Sequence, residues 1–208
     1  MTTSDDRRAH WQSVWDQIDP EAAGWHQPEP TLSLALIEAA GLRRDAGVVD
    51  VGAGRSRLVD ALAERGWVNL AVLDVAPAAI AAGAERLGPL GDDIVWIESD
   101  VLEWRPVPGL FELWHDRACF HFLTDPGDQA KYAEVMTTAL VPGGIAILAG
   151  FAPDGPERCS GLPVVHHDAA SLAALLGPRF ELIDEVDERH HTPGGHIQPF
   201  RWHVLRRL

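Results

Sequence analysis

The stretch Val48-Val49-Asp50-Val51-Gly52-Ala53-Gly54-Arg55-Ser56 decides the fold. Its apolar, β-branched run stops at glycines and gives way to the helix-patterned Leu58-Val59-Asp60-Ala61-Leu62-Ala63-Glu64-Arg65-Gly66. That order predicts a buried strand, a tight turn and a helix, the opening of a nucleotide-binding α/β unit. Gly52 and Gly54 allow a sharp turn and a close approach to a ligand, and the helix start beyond them offers unpaired N–H groups. Asp74 closes the next strand-like run, Leu70-Ala71-Val72-Leu73, twenty positions after Gly54. A carboxylate at that distance is placed to meet a ribose hydroxyl pair.

Two cofactor classes use this layout. A dinucleotide fingerprint asks for G-x-G-x-x-G, but the sixth position here is Arg57. Asp50, at the entrance to the turn, would oppose a pyrophosphate, whereas it could accept hydrogen bonds from a ligand ammonium or from backbone amides. S-adenosylmethionine has such an ammonium and no phosphate. The run Asp50-Val51-Gly52-Ala53-Gly54 resembles the first motif of the class I S-adenosylmethionine-dependent methyltransferases, and Ser56 replaces their usual third glycine. The resemblance implies an α/β three-layer sandwich with a seven-stranded, mostly parallel sheet and a C-terminal antiparallel hairpin. It also implies S-adenosylmethionine as cofactor, with Asp74 as the ribose-binding acid. Asp100, at the end of the strand-like Ile94-Val95-Trp96-Ile97-Glu98-Ser99, matches the family residue that accepts from the adenine amino group, with the Val101 amide beside it.

Length and composition set the frame. With 208 residues, 46% of them hydrophobic, the chain can bury one core, and a single domain spanning residues 1–208 is expected. A net charge of −14 argues against a nucleic-acid backbone or an anionic membrane as partner. Two cysteines make no disulfide framework, and neither an apolar leader nor a membrane-length apolar run is seen, so a cytoplasmic protein is expected.

Residues 1–40 read as a helical flap and lid. Trp11, Val14, Trp15 and Ile18 recur at spacings of three and four and form one apolar stripe on a helix from Asp5 to Ile18. Gly24-Trp25-His26-Gln27-Pro28-Glu29-Pro30 is irregular because of its prolines, and Thr31 is expected to cap a helix over 32–40. Such a Trp-His-Gln-x-x-Pro segment ahead of a Ser-Leu helix resembles one methyltransferase branch, which implies that Trp25 and Gln27 help to hold the cofactor. Further helices are expected over 77–87, 132–140 and 171–176, and strands over 111–116, 145–150, 180–190 and 200–205. The Pro142-Gly143-Gly144 turn resembles the one that precedes the fifth strand of the family.

In open α/β sheets ligands sit beyond the carboxyl ends of the strands. That rule places His115 and Asp116, which end the fourth strand, beside the transferred methyl group; as a strand-holding pair they would be purely structural. The Pro- and Gly-rich segment 151–164 reads as a substrate loop without regular structure, with Cys159 and Ser160 near the acceptor. His191 is the candidate among the C-terminal imidazoles. His121 reads as structural and Cys119 as a small buried hydrophobe. No close ligand spacing supports a metal site.

Methyl transfer from a sulfonium needs alignment of nucleophile, carbon and sulfur more than it needs strong acid. A thiol requires least help from a base, an amine more, a hydroxyl most. The expected activity is therefore methylation of a small acceptor, a thiol or sulfide first. Protein lysine N-methylation is the alternative, since the Trp25 segment and the fourth-strand region also resemble that branch. The expected partner is a small-molecule acceptor, and the sequence leaves the oligomeric state open.

Overall fold

The computed structural model describes residues 3–208. α1 (Ser4–Gln17) starts in a capping box, in which the Thr3 hydroxyl accepts from the Asp6 amide and the Asp6 carboxylate accepts from the Thr3 amide. α2 (Thr31–Ala39) follows the Pro-rich segment; Pro30 holds the N-cap position and Thr31 is the first helical residue, so the expected threonine cap is absent. Then come β1 (Val48–Val51), α3 (Leu58–Glu64), β2 (Leu70–Asp74), α4 (Pro77–Leu87) and β3 (Val95–Glu98). Proline opens α4, where its missing N–H would have no partner.

β4 (Phe111–Arg117) leads to α5 (Pro126–Ala139), which begins six residues before the position expected from its apolar pattern. Asp125 explains the early start: its side chain accepts from the Gly127 and Asp128 amides, and Pro126 fills the first helical position. β5 (Leu140–Phe151) includes the Pro142-Gly143-Gly144 bend, where its register with β4 shifts. β6 (Arg158–Cys159) and β7 (Leu162–Pro163) form a small hairpin inside the segment expected to be irregular. α6 (Ala169–Leu176), β8 (Phe180–His191) and β9 (Ile197–Arg207) complete the chain.

The main sheet has seven strands in the order β3-β2-β1-β4-β5-β9-β8. The pairings among β3, β2, β1, β4 and β5 are parallel, while β9 runs antiparallel to both of its neighbours. Strand order reverses between β1 and β4, and parallel strands that start outward from the centre leave a crevice there. One apolar cluster packs α2 and α3 on one face through Ile37, Leu58 and Leu62. A second packs α5 and α6 on the other through Tyr132, Met136 and Leu172. Both faces of β1 are covered, so all four of its residues are buried. The outer edge is β8, whose exposed residues include Glu181, Asp184, Glu185 and Asp187 and whose pairing with β9 slips between Leu182 and Asp184. Among the described residues no helix is long and apolar enough to cross a membrane.

Candidate active site

The crevice at the β1/β4 switch point opens into a cavity lined by the ends of β1, β2 and β4 and by the flap. Gly52 and Gly54 turn the chain after β1 with φ of +63° and +56°. Both also need the missing side chain: a Cβ at Gly52 would overlap the Cys119 side chain, and one at Gly54 would lie 2.6 Å from the Trp15 ring.

Three strand-end carboxylates face this turn. Asp74 Oδ2 accepts from the Gly54 amide and its Oδ1 accepts from the Ala76 amide, each at 2.8 Å. Burial raises the Asp74 pKa to about 6, against the pull of those backbone donors. Asp100 Oδ1 accepts from the Leu102 amide at 2.9 Å, and Oδ2 accepts from Arg7 Nε of the flap at 2.5 Å. Asp50 sits opposite His115 in the parallel register of β1 and β4. His115 Nδ1 lies 2.7 Å from Asp50 Oδ1, and Nε2 lies 3.0 Å from the Ser33 hydroxyl. A carboxylate can only accept, so the ring donates from Nδ1, and in the neutral ring Nε2 accepts from the Ser33 hydroxyl. Asp50 Oδ2 is buried with no partner among the described residues.

α1 and the segment after it close the cavity from above. Trp25 meets Trp11 and Trp15 edge to face at centroid distances of 6.5 and 5.8 Å. The Arg55 guanidinium lies 5.2 Å over the Trp15 ring and donates to the Trp15 carbonyl, tying the flap to the glycine turn. Gln27 Nε2 donates to Glu188 Oε1 at 2.9 Å.

Of the residues singled out in the sequence, Trp25, Gln27, Asp50, Gly52, Ala53, Gly54, Asp74, Asp100, Val101, His115 and Cys159 line one continuous wall. Three others lie elsewhere. Asp116 is fully buried on the opposite side of β4, because adjacent strand residues point to opposite faces. There it accepts from Tyr132 Oη at 2.6 Å and from the amides of Cys119 and Phe120, and burial raises its pKa to about 6. This is the strand-holding role, and it shapes the turn in which Ala118 takes a φ of +69°. Ser160 forms the tip of the β6–β7 hairpin with a φ of +49°, outside the cavity wall. His191 is exposed on edge strand β8.

The sequence reading missed Ser33, Arg117, Phe151 and Phe200, all of which line the cavity. Arg117 shares strand parity with His115, a signal that was available. Ser33 precedes the buried Leu36 and Ile37 by three and four positions, so one polar residue interrupts an apolar helical stripe. Among the described residues no three His, Cys, Asp or Glu side chains are grouped to hold a metal ion.

Residues 48–144 match the family model described as "Methyltransferase domain". No curated protein matches the chain. Among solved structures, an S-adenosylmethionine-dependent methyltransferase from Anabaena variabilis is similar at a TM-score of 0.76 and 15% identity, covering 100% of this chain and 96% of the other. The Burkholderia thailandensis 1,6-didemethyltoxoflavin-N1-methyltransferase, solved with its substrate and S-adenosylhomocysteine, is similar at a TM-score of 0.70 and 23% identity, covering 100% and 91%. A protein from work on the conversion of a disulfide bond into a thioacetal group during echinomycin biosynthesis is similar at a TM-score of 0.76 and 16% identity, covering 96% and 91%. The domain match and the seven-strand sheet order make the chain similar to the class I S-adenosylmethionine-dependent methyltransferases. The cavity wall fits that cofactor: the unpaired Asp50 oxygen suits an ammonium, and Asp74, anchored by backbone donors, keeps lone pairs for hydroxyls.

Proposed function

We propose that this enzyme methylates the sulfur of a small thiol or sulfide. The observation that carries the reading is the aromatic part of the cavity wall: Trp25, Phe151 and Phe200 line it, and the His115 imidazole is held on both nitrogens. An enclosed aromatic space favours a small acceptor over a lysine on a protein surface. A thiol is the nucleophile that asks least of such a wall, because its own ionisation near neutral pH does most of the work.

Bound S-adenosylmethionine supplies a methyl group activated by its sulfonium. The chain's contribution is placement and exclusion of water. In this reading Asp50, Gly52, Ala53, Gly54, Asp74, Asp100 and Val101 hold the cofactor, with Trp25 and Gln27 over it. Ser33 can orient the acceptor's sulfur, and a proton leaving that sulfur can go to the Ser33 oxygen as the hydroxyl's own proton passes to His115 Nε2. Cys159, whose thiol is pushed up by burial, stays protonated and shapes the wall. The sulfur chemistry named for the echinomycin-pathway structure agrees with a soft acceptor, while the toxoflavin enzyme is named for nitrogen methylation.

The test is transfer of label from S-adenosylmethionine to panels of small thiols, small amines and lysine peptides. Turnover of thiols above the others is expected. Turnover confined to peptides or amines would replace the reading.

A further inference from the structure

Arg117 ends β4 with its guanidinium in the cavity wall, over the Phe200 ring at 4.6 Å. Only one of its three nitrogens is used: Nη1 donates to the Trp25 carbonyl at 3.0 Å. Nε and Nη2 are buried without a partner among the described residues. These two nitrogens form one edge of the planar fork, the edge that grips two oxygens side by side. The nearby carboxylate of Glu188 does not fill it. Its Oε1 accepts from Gln27 and its Oε2 from Trp202 Nε1, each at 2.9 Å, and no ion pair joins it to Arg117. A buried cation with a free donor edge is costly to keep, and nothing in the fold of the described residues completes it.

We propose that the methyl acceptor carries a carboxylate, and that the Nε–Nη2 edge of Arg117 binds it. The donor pair matches a planar, two-oxygen, singly charged anion. A phosphate-type dianion would ask for a second cation, but Arg7 is engaged by Asp100 and Asp128, and Arg55, whose Nε has no partner among the described residues, is held at the glycine turn by the Trp15 ring and carbonyl. The aromatic rings of Phe151 and Phe200 beside the fork supply the apolar contact for the acceptor's frame. Nη1 holds the Trp25 carbonyl, so the same side chain joins acceptor and lid. An acid substrate also gains selectivity here: on a chain of net charge −14, an anion has little reason to dwell anywhere but at a free cation. The assignment deepens the thiol reading above by naming a mercapto acid as acceptor, but the carboxylate site stands whichever atom is methylated.

Calorimetry on protein saturated with S-adenosylhomocysteine separates the two ideas, because the probes need no nucleophile. Benzoate is expected to bind about tenfold tighter than benzamide, the scale of a charged bidentate hydrogen bond. In Arg117→Gln that preference is expected to vanish, and Arg117→Lys to restore only part of it. Turnover of 4-mercaptobenzoate against 4-mercaptobenzamide, and of 4-aminobenzoate against 4-aminobenzamide, then identifies the atom. Preference for the acid in the amine pair alone would end the thiol reading and uphold the carboxylate site. Equal binding of benzoate and benzamide to the unaltered protein, or tighter binding of phenylphosphonate than benzoate, would overturn the proposal whether or not the variants fold.

Discussion

Asp74 carries two backbone hydrogen bonds and still has its pKa raised to about 6 by burial. A cofactor that donates ribose hydroxyls to this carboxylate favours its charged form, so acid competes with the cofactor. Affinity for S-adenosylmethionine is therefore expected to hold above pH 7 and to weaken about tenfold by pH 5, following the ionised fraction. Asp74→Asn should flatten that pH dependence and bind more weakly at pH 7. Titration calorimetry at both pH values reads the difference, and a wild-type affinity that is flat across the range would remove Asp74 from the ribose site. The sequence disclosed this residue and Asp50 because a glycine turn after an apolar run constrains the strand and helix on either side of it. It did not disclose that Asp116 turns away from the cavity; strand parity carries that information, and the reading took both neighbours as facing the ligand.

At the scale of elements, α1 is attached through a few specific contacts: the tryptophans against Trp25, Arg55 on Trp15, and Arg7 on Asp100. Trp15 is its only fully buried side chain, so the helix is a cover and not part of the two main apolar clusters. Removal of residues 1–18 is expected to leave a folded domain whose cofactor dissociates faster, since the Gly54 turn and Asp100 lose their roof. Three tryptophans at this seam also predict a change of intrinsic fluorescence on binding S-adenosylhomocysteine, absent in the truncated chain. Unchanged kinetics after truncation would reduce α1 to a surface ornament. The flap was legible in the spacing of Trp11, Val14, Trp15 and Ile18. The Arg7–Asp100 pair was not, because two residues so distant in sequence share no local pattern.

For the whole molecule, buried titratable groups oppose one another. Burial lowers the His121 pKa to about 3 and that of His167 to about 4, so each contributes stability that is present above pH 6.5 and lost as pH falls. Asp74 and Asp116, raised to about 6, act in the other sense: their contribution is full below the unfolded carboxylate range and lost as pH rises through about 6. The histidines begin to bind protons in the unfolded chain first, and their shifts are larger. The melting temperature is therefore expected to fall between pH 7 and pH 5.5. His121→Leu should shrink that fall, because His121 makes no hydrogen bond through either ring nitrogen among the described residues; an unaltered pH profile in this variant would assign the acid sensitivity elsewhere. The last two strands were legible in the sequence pattern, while the seven-stranded, mostly parallel sheet and its antiparallel hairpin came from the resemblance to the methyltransferases, and the strand order came only with the structure.

Edge strand β8 bears on the company the molecule keeps. An open edge of twelve residues, with Leu182 and Ile183 partly bare, is a template on which another extended chain could grow. Four exposed carboxylates and the register slip between Leu182 and Asp184 stand against that pairing. The protection is electrical as well as geometric, so it belongs to the solvent as much as to the chain. Acid that neutralises these side chains, or a neighbour rich in lysine, would turn the same margin from a repellent border into a seam for strand addition.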